Sequence, residues 1–407
     1  MEKYSGLSVF ISCLNGHGKS DLGVIMRETG ALNGITVLDL SRLLPGPYAS
    51  MILADHGARV ICLEDQRFAA EAFADNTVNR GKEHMSLNLK SEQGKKIFFQ
   101  LAQSADVVLE GFRPGVTARL GVDYETVKSV NPKIVYCSIT GYGQSGPYSG
   151  LVGHDANYLS VAGVLDINGE AGGRPLIPGI QIADMAGGGM NAVIGIMLAL
   201  YSRESTGQGQ YIDISMTDGS LSLMSLALTL QQAAGGPLQR GDSLLSHHYA
   251  FYNTYETADG RYLSIGALEH RFWKNLCEFF EVPDYIPLQY DENRREEILE
   301  FFRRQFKSRS LAHWKEVLAN RDICWAPVQN LSEALEDPNF SHREMVVALS
   351  GKEGRRLTAL GAPVKLSDTP PRVEGMPPDF GADTRAILQE LGYEQAAIES
   401  LVQEGAV

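Results

Sequence analysis

Cysteine is scarce in this chain: five residues in all (Cys13, Cys62, Cys137, Cys277 and Cys324), no two of which form a CxxC pair. Their odd number and scattered spacing exclude a disulfide framework and a cysteine zinc site. They read as buried thiols of a reducing compartment, which points to the cytoplasm. Positive charge is also short. Against 49 acidic residues stand 36 basic ones, a formal net charge of -13. Such an acidic body excludes a general nucleic-acid or anionic-membrane surface, so an anionic ligand needs a local basic cluster. No apolar run approaches the length of a membrane span. The terminal "EGAV" is no peroxisomal address, and there is no internal repeat or low-complexity tract.

The first thirty residues carry only weak signals. "LSVFISCL" (7–14) is a short apolar run after Lys3 without a convincing small-residue cleavage site, so it does not read as an export signal. "GHGKS" (16–20) resembles the end of a phosphate-binding loop, but the glycine that motif requires falls on Cys13. Residues 1–30 therefore read as an N-terminal extension, with Met26 a second candidate start.

What the sequence does have is core material in regular order. With 407 residues, 44% of them hydrophobic, it can bury a sizeable core, as two domains or one elaborated one. From Gly34 onward, short apolar runs at 35–40, 59–64, 106–112 and 133–140 read as strands. Helical stretches at 47–58 and 91–105 lie between them. Strands alternating with helices imply parallel pairing, so the fold class is α/β with an open, doubly wound sheet. "MAGGGMNAVIGIMLALYSRE" (185–204) reads as a long apolar helix that must be buried, against the rest of the chain or another subunit. A strand follows at 211–216, then a second apolar helix. Near residue 235 the style changes. Residues 251–268 read as a hairpin turning at Asp259-Gly260, followed by amphipathic helices, which together make a smaller α+β domain.

Seven blocks in order then carry a resemblance: "LLPGPYASMILADHGARVICLE", "NRGKEHMSLNLKSEQGK", "EGFRPGVTARLGVDYE", "NPKIVYCSITGYGQSGPYS", "GHDANY", "IADMAGGG" and "TGQGQYIDISMTDG". Together they resemble the class III CoA-transferase family (the CaiB/BaiF type), and within it the α-methylacyl-CoA racemase branch. The resemblance implies a Rossmann-like large domain with a smaller α+β domain, in a homodimer of two interlocked chains. It divides the chain into the extension (1–30), the first part of the CoA-binding α/β domain (31–235), the small domain (236–330) and a C-terminal return to the large domain (331–407). The ligand it implies is an acyl-CoA, with CoA as part of the substrate and no separate cofactor.

Two readings of Asp184 are open from the residues alone. An aspartate ahead of a helix is commonly a cap. A glycine-rich helix start, however, leaves backbone N–H groups for a ligand and favours developing negative charge, so a thioester carbonyl would find donors there. In the resembled family, the aspartate here carries the acyl group in transferases and is one of two acid–base groups in the racemase. His154 likewise reads as structural or catalytic. "GHDxNY" matches the racemase branch, whose histidine here is the second acid–base group, whereas typical transferases lack it. Inverting a carbon next to a thioester needs proton carriers on opposite faces, and no metal or redox cofactor if donors hold the carbonyl oxygen. Glu269, in "GALEH", reads as a surface glutamate or, by the resemblance, as the residue that pairs with that histidine, supplied by the same chain or its dimer partner.

For CoA, the local basic cluster is Arg80, Lys82, Lys90, Arg113 and Arg119, each singly an ordinary surface charge. Together they follow consecutive parallel strands, at the mouth where nucleotide-like ligands bind. "NRGK" (Asn79, Arg80, Gly81, Lys82) matches the family's CoA-contacting segment. Gly141 and Tyr142 of "GYGQSGP" suit close approach by the pantetheine arm, and Asp155, which could also cap the helix it begins, and Tyr158 complete the expected substrate contacts. One departure stands out: Cys62 occupies a position where the family often has Arg or Lys. Two activities stay open, racemisation of a 2-methylacyl-CoA and CoA transfer to a carboxylic acid through an acyl anhydride on Asp184.

Overall fold

The predicted strand runs fold into one sheet. The computed structural model describes residues 30–71, 76–351 and 354–407. The apolar run at 7–14, "GHGKS" and all of the predicted extension except Gly30 lie outside the described residues. The strands are β1 (Thr36–Asp39), β2 (Arg59–Glu64), β3 (Glu83–Ser86), β4 (Val107–Glu110), β5 (Val135–Thr140) and β6 (Tyr211–Ser215), in the order β3-β2-β1-β4-β5-β6 with all pairs parallel. The order reverses between β1 and β4, which opens the crevice where doubly wound sheets take ligands.

Helices cover both faces: α1 (Pro45–Asp55), α2 (Glu92–Ala102), α3 (Val116–Leu120), α4 (Tyr124–Val130), α5 (Asp155–Val161) and α6 (Val164–Ile167). The pleat sorts the strand residues into two cores. Val37, Val60, Leu109 and Cys137 pack with α1 and α5, while Leu38, Ile61, Val108 and Tyr136 pack with α2 and α4 on the other face.

β3 was not among the expected strands. Its sequence, "EHMS", is short and half polar, so periodicity cannot reveal it. It forms because the distant C-terminus covers its edge. The His84 N–H donates to the Asp383 carboxylate at 2.8 Å and the Ser86 N–H to Thr384 Oγ1 at 2.9 Å. An edge strand covered in this way leaves no row of open backbone groups.

The long apolar helix is present with a different start. Residues Ala183–Met190 form a π-helix that runs on into α7 (Asn191–Thr206). By length and composition the whole run could cross a membrane, contrary to the sequence reading. One face packs on β5, β6 and α1. The expected full burial does not hold within this chain: Leu198 is 65% exposed and Tyr201 81%. Two further helices, α8 (Met216–Ser222) and α9 (Ser225–Ala234), extend the apolar surface with exposed Leu221, Leu226 and Leu228.

The hairpin at 251–268 forms as β7 (Tyr252–Glu256) and β8 (Tyr262–Gly266), with Gly260 at φ +70° in its turn, and β9 (Trp325–Pro327) joins β8. Helices α10 (His270–Phe279), α11 (Arg295–Lys307) and α12 (Leu311–Leu318) close a third core rich in rings, including Phe251, Tyr255, Trp273, Phe302 and Phe306. Short helices α13 (Leu331–Glu336) and α14 (Pro338–His342) lead to the hairpin β10 (Val346–Ser350) and β11 (Arg356–Leu360). The chain then ends in α15 (Thr384–Glu390) and α16 (Gln395–Gln403), whose Ile387, Leu388, Ile398 and Leu401 join the same core as β1 to β5.

Leu388 is fully buried in that core. Leu388→Ala is expected to lower the unfolding free energy by about 2–5 kcal/mol, read from urea denaturation. A loss under about 0.5 kcal/mol, as at a surface position, would detach α15 from the main core.

Candidate active site

The geometry of the site starts from "GHD". His154 occupies the cap position of α5 in extended backbone, and its N–H donates to Asn157 Oδ1 at 3.0 Å. The next residue, Asp155, is buried. Its carboxylate does not cap its own helix, as the sequence allowed. One oxygen accepts the N–H of Ala183 at 2.7 Å and that of Asp184 at 3.1 Å. The first donors of the π-helix are therefore satisfied by a neighbouring element, which is where a buried helix start must find its partners.

Asp184 is not a cap. It lies inside the first π-turn, after the already helical Ile182. Its carboxyl is half-buried, and burial pushes it up to about 6, with Asp155 adding to the rise and His154 opposing it. The glycines that follow do not leave N–H groups open, as the sequence suggested; they let elements close in. A Cβ on Gly187 would stand 2.7 Å from Met216 O, and one on Gly189 2.8 Å from Tyr48 Cδ1. The π-helix is thus clamped between α1 and α8. A wide turn of this kind often marks a functional position.

Around this pair gather other expected residues. Tyr158, one turn along α5, donates its hydroxyl to Gly153 O at 2.5 Å and packs edge-on against Tyr142, with ring centroids 5.2 Å apart. A Cβ on Gly141 would meet Tyr158 Cε1 at 2.3 Å, so this glycine accommodates the tyrosine ring. Burial first, then the charge of Asp184, raises the Tyr158 hydroxyl to about 12, and Arg113 pulls the other way. Thus His154, Asp155, Tyr158, Asp184, Gly141 and Tyr142 come together, with exposed Arg113 close enough to act on them electrostatically.

The rest of the expected basic cluster does not assemble on one surface. Arg80 is 2% exposed and makes two hydrogen bonds to Asp55, at 3.1 and 2.6 Å. Lys82 points inward, donating to Pro47 O at 2.8 Å with Asn79 Oδ1 at 3.4 Å. Gly81 supplies the positive φ, +66°, between them. Lys90 and Arg119 are exposed. Glu269 is exposed at the start of α10 and acts on Cys324 beside β9.

A cavity of about 210 Å³ at the carboxyl ends of β1 and β2 is lined by the expected Asn79 and by Cys62, together with Arg42, Glu64, His84 and Phe380, which sequence reasoning missed. The Arg42 guanidinium pairs with Glu64 at 2.5 Å and lies 3.4 Å over the Phe68 ring. The available signal was positional, because Arg42 and Glu64 lie at or just past strand ends on the side where ligands bind. Burial raises the Cys62 thiol to about 12, so it is inert there. Among the described residues, no three His, Cys, Asp or Glu side chains converge to hold a metal ion.

Comparison with known proteins adds a second line. A family model described as CoA-transferase family III matches residues 32–384. Human alpha-methylacyl-CoA racemase is 33% identical over 372 residues, covering 91% of this chain and 96% of that protein. Human succinyl-CoA:glutarate CoA-transferase is 29% identical over 401 residues, covering 94% and 91%. The crystal structure of a CAIB/BAIF family protein from Brucella suis superposes with a TM-score of 0.78 at 26% identity, over 89% of this chain and all of that one. Racemase and transferase relatives are similarly close, so similarity alone does not separate the two activities.

The buried Arg80–Asp55 pair separates a structural from a ligand-binding role for "NRGK". Arg80→Ala leaves a buried carboxylate without its partner and is expected to cost about 3–5 kcal/mol of stability. The urea midpoint measures it. An unchanged midpoint with weakened CoA binding would instead make Arg80 a ligand contact.

Proposed function

The chain belongs to CoA-transferase family III, and on that premise we propose that it is an acyl-CoA racemase, inverting the α-carbon of 2-methylacyl-CoA thioesters. The observation that carries this reading is a histidine at the head of α5, His154, in electrostatic contact with a half-buried aspartate, Asp184, across the shared Asp155. One of the two takes the α-proton. The electron pair of the C–H bond moves into the thioester, giving an enolate, and the other group returns a proton to the opposite face. Reversing direction exchanges the roles. Proton transfer of this kind needs no dissociable cofactor.

The rest of the site follows the same logic. Arg113 supplies positive charge beside the pair, and the cavity at the ends of β1 and β2 suits the nucleotide end of CoA. We further propose a homodimer, supported by the exposed apolar residues of α7, α8 and α9, among them Ile194, Leu198, Leu221 and Leu228. In such a dimer, Glu269 of a second copy would orient His154. The four free thiols among the described residues fit a cytoplasmic protein.

CoA transfer is the second reading, favoured by the transferase relative and by the nucleophilic chemistry that a half-buried carboxyl at Asp184 offers toward a thioester. The two separate in one experiment. With a pure epimer of a 2-methylacyl-CoA in deuterated water, proton NMR is expected to show loss of the α-proton signal with growth of the other epimer. His154→Ala and Asp184→Ala should each lower that rate by about 10²–10⁴-fold. No exchange in a folded, CoA-binding sample, with hydroxylamine converting an activated Asp184 carboxyl to its hydroxamate and releasing the group it carried, would establish transfer instead.

The pH dependence has a defined sign. As the base, Asp184 must be ionised, and its carboxyl is raised to about 6. In the direction where it accepts the proton, kcat/KM is expected to fall about tenfold per pH unit below that value. Epimerisation takes up no net proton, so kcat/KM in the reverse direction must follow the same pH profile, the active enzyme sharing one proton between the pair. A profile flat from pH 5 to about 8 in both directions would remove Asp184 from the proton path.

A further inference from the structure

Two carboxyls near the mouth of the sheet remain unused by this chemistry, one buried and one exposed. Glu110 ends β4 and is 2% exposed. Asp213 lies on β6. The strand register runs Glu110–Ser138–Asp213, so the three residues sit side by side on one face of neighbouring strands. Each carboxyl holds the backbone of a loop. Glu110 Oε2 accepts the N–H of Phe112 at 2.6 Å, at the turn that leads into Arg113. Both oxygens of Asp213 accept the N–H of Gln144, at 3.0 and 3.2 Å, just past Tyr142. At Gly143, φ is +83°, and its Cβ position would lie 3.8 Å from Asp213 Oδ2, so this loop folds directly over the carboxylate.

We infer that Glu110 and Asp213 are positioning residues that lock the two loops carrying Arg113 and Tyr142 at the active site. Burying a carboxyl beside a second negative charge is costly, and burial together with Asp213 pushes Glu110 up to about 7 while Ser138 and the Phe112 N–H pull it down. A cap on an ordinary turn needs no such arrangement, since a hydroxyl or amide serves. Fixing both loops from one rigid sheet is the return on that cost, because a site must be held to within a fraction of an ångström.

The inference rests on the acyl-CoA reading for its substrate, and the test keeps the two apart. Amide hydrogen exchange by mass spectrometry on the full chain reads segments 111–115 and 141–147 directly. Glu110→Ala is expected to speed exchange in 111–115 by about tenfold or more and to lower kcat/KM for α-proton exchange, or for CoA transfer if that is the activity, by about tenfold or more. Glu110→Gln keeps an oxygen that accepts from Phe112 and should stay within about threefold of the parent in both. If Glu110→Ala fails to fold, Asp213→Ala against Asp213→Asn, read on 141–147, decides in the same way. Unchanged loop exchange in the alanine variants, or faster exchange with kcat/KM within about twofold, would overturn the positioning role. A parent protein that neither exchanges nor transfers would sink the functional reading, and the amide exchange would still decide whether these carboxyls hold the loops.

Discussion

A single buried carboxylate, that of Asp155, ties the site together. It follows His154 in sequence and accepts the backbone N–H groups of Ala183 and Asp184 in space. The two candidate acid–base residues come from segments about thirty positions apart, yet one side chain fixes the start of one helix against the other. The same charge acts chemically. Asp155 adds to the burial that lifts the Asp184 carboxyl toward neutrality, so one group sets both where Asp184 stands and how readily it takes a proton.

The clamp around the π-helix gives that tie its rigidity. Gly187, Gly188 and Gly189 lie against Met216, Pro45 and Tyr48 at distances no side chain would allow. Backbone packed this closely cannot relax without moving α1 or α8, and α1 follows β1 at the switch point. The sheet, the crevice and the Asp184 turn thus form one mechanical unit. Across the crevice, Lys82 reaches back to Pro47 O at the start of α1, and Arg80 to Asp55 at its end. The segment expected to greet a phosphate also staples the helix that the π-turn leans on.

What was legible in the sequence were the features set locally. Apolar runs of strand length between amphipathic stretches gave the parallel sheet, and Asp259-Gly260 gave the hairpin. Quoted motifs pointed to His154, Asp184, Tyr158 and Tyr142 as one neighbourhood. What escaped was decided at long range. "EHMS" is a strand only because residues near 383 cover its edge. Asp155 looked like a cap for its own helix because no local pattern shows that its carboxylate turns to residue 183. The three glycines read as an open anion site, since sequence shows a missing side chain but not what fills its place. Arg80 and Lys82 looked like surface charge because their partners, Asp55 and Pro47, lie 25 and 35 positions away.

These long-range facts bear on how one aspartate can serve two chemistries. Acyl transfer asks Asp184 to be ionised and to reach a carbonyl carbon; proton relay asks it to change protonation state near working pH. A carboxyl at its ordinary value near 4 is almost fully ionised at neutrality and is a poor proton carrier. Lifted to about 6, it remains mostly ionised at pH 7, with a protonated fraction on the order of one tenth. Both forms are then available, and both directions of a proton relay can run. The lift alone would not forbid nucleophilic attack. On the racemase reading proposed above, His154 beside it is the second proton carrier, since this relay returns the proton to the face opposite the one that lost it. Through Asp155, the fold adds to the burial that lifts the aspartate toward neutrality and holds its backbone N–H by the same carboxylate.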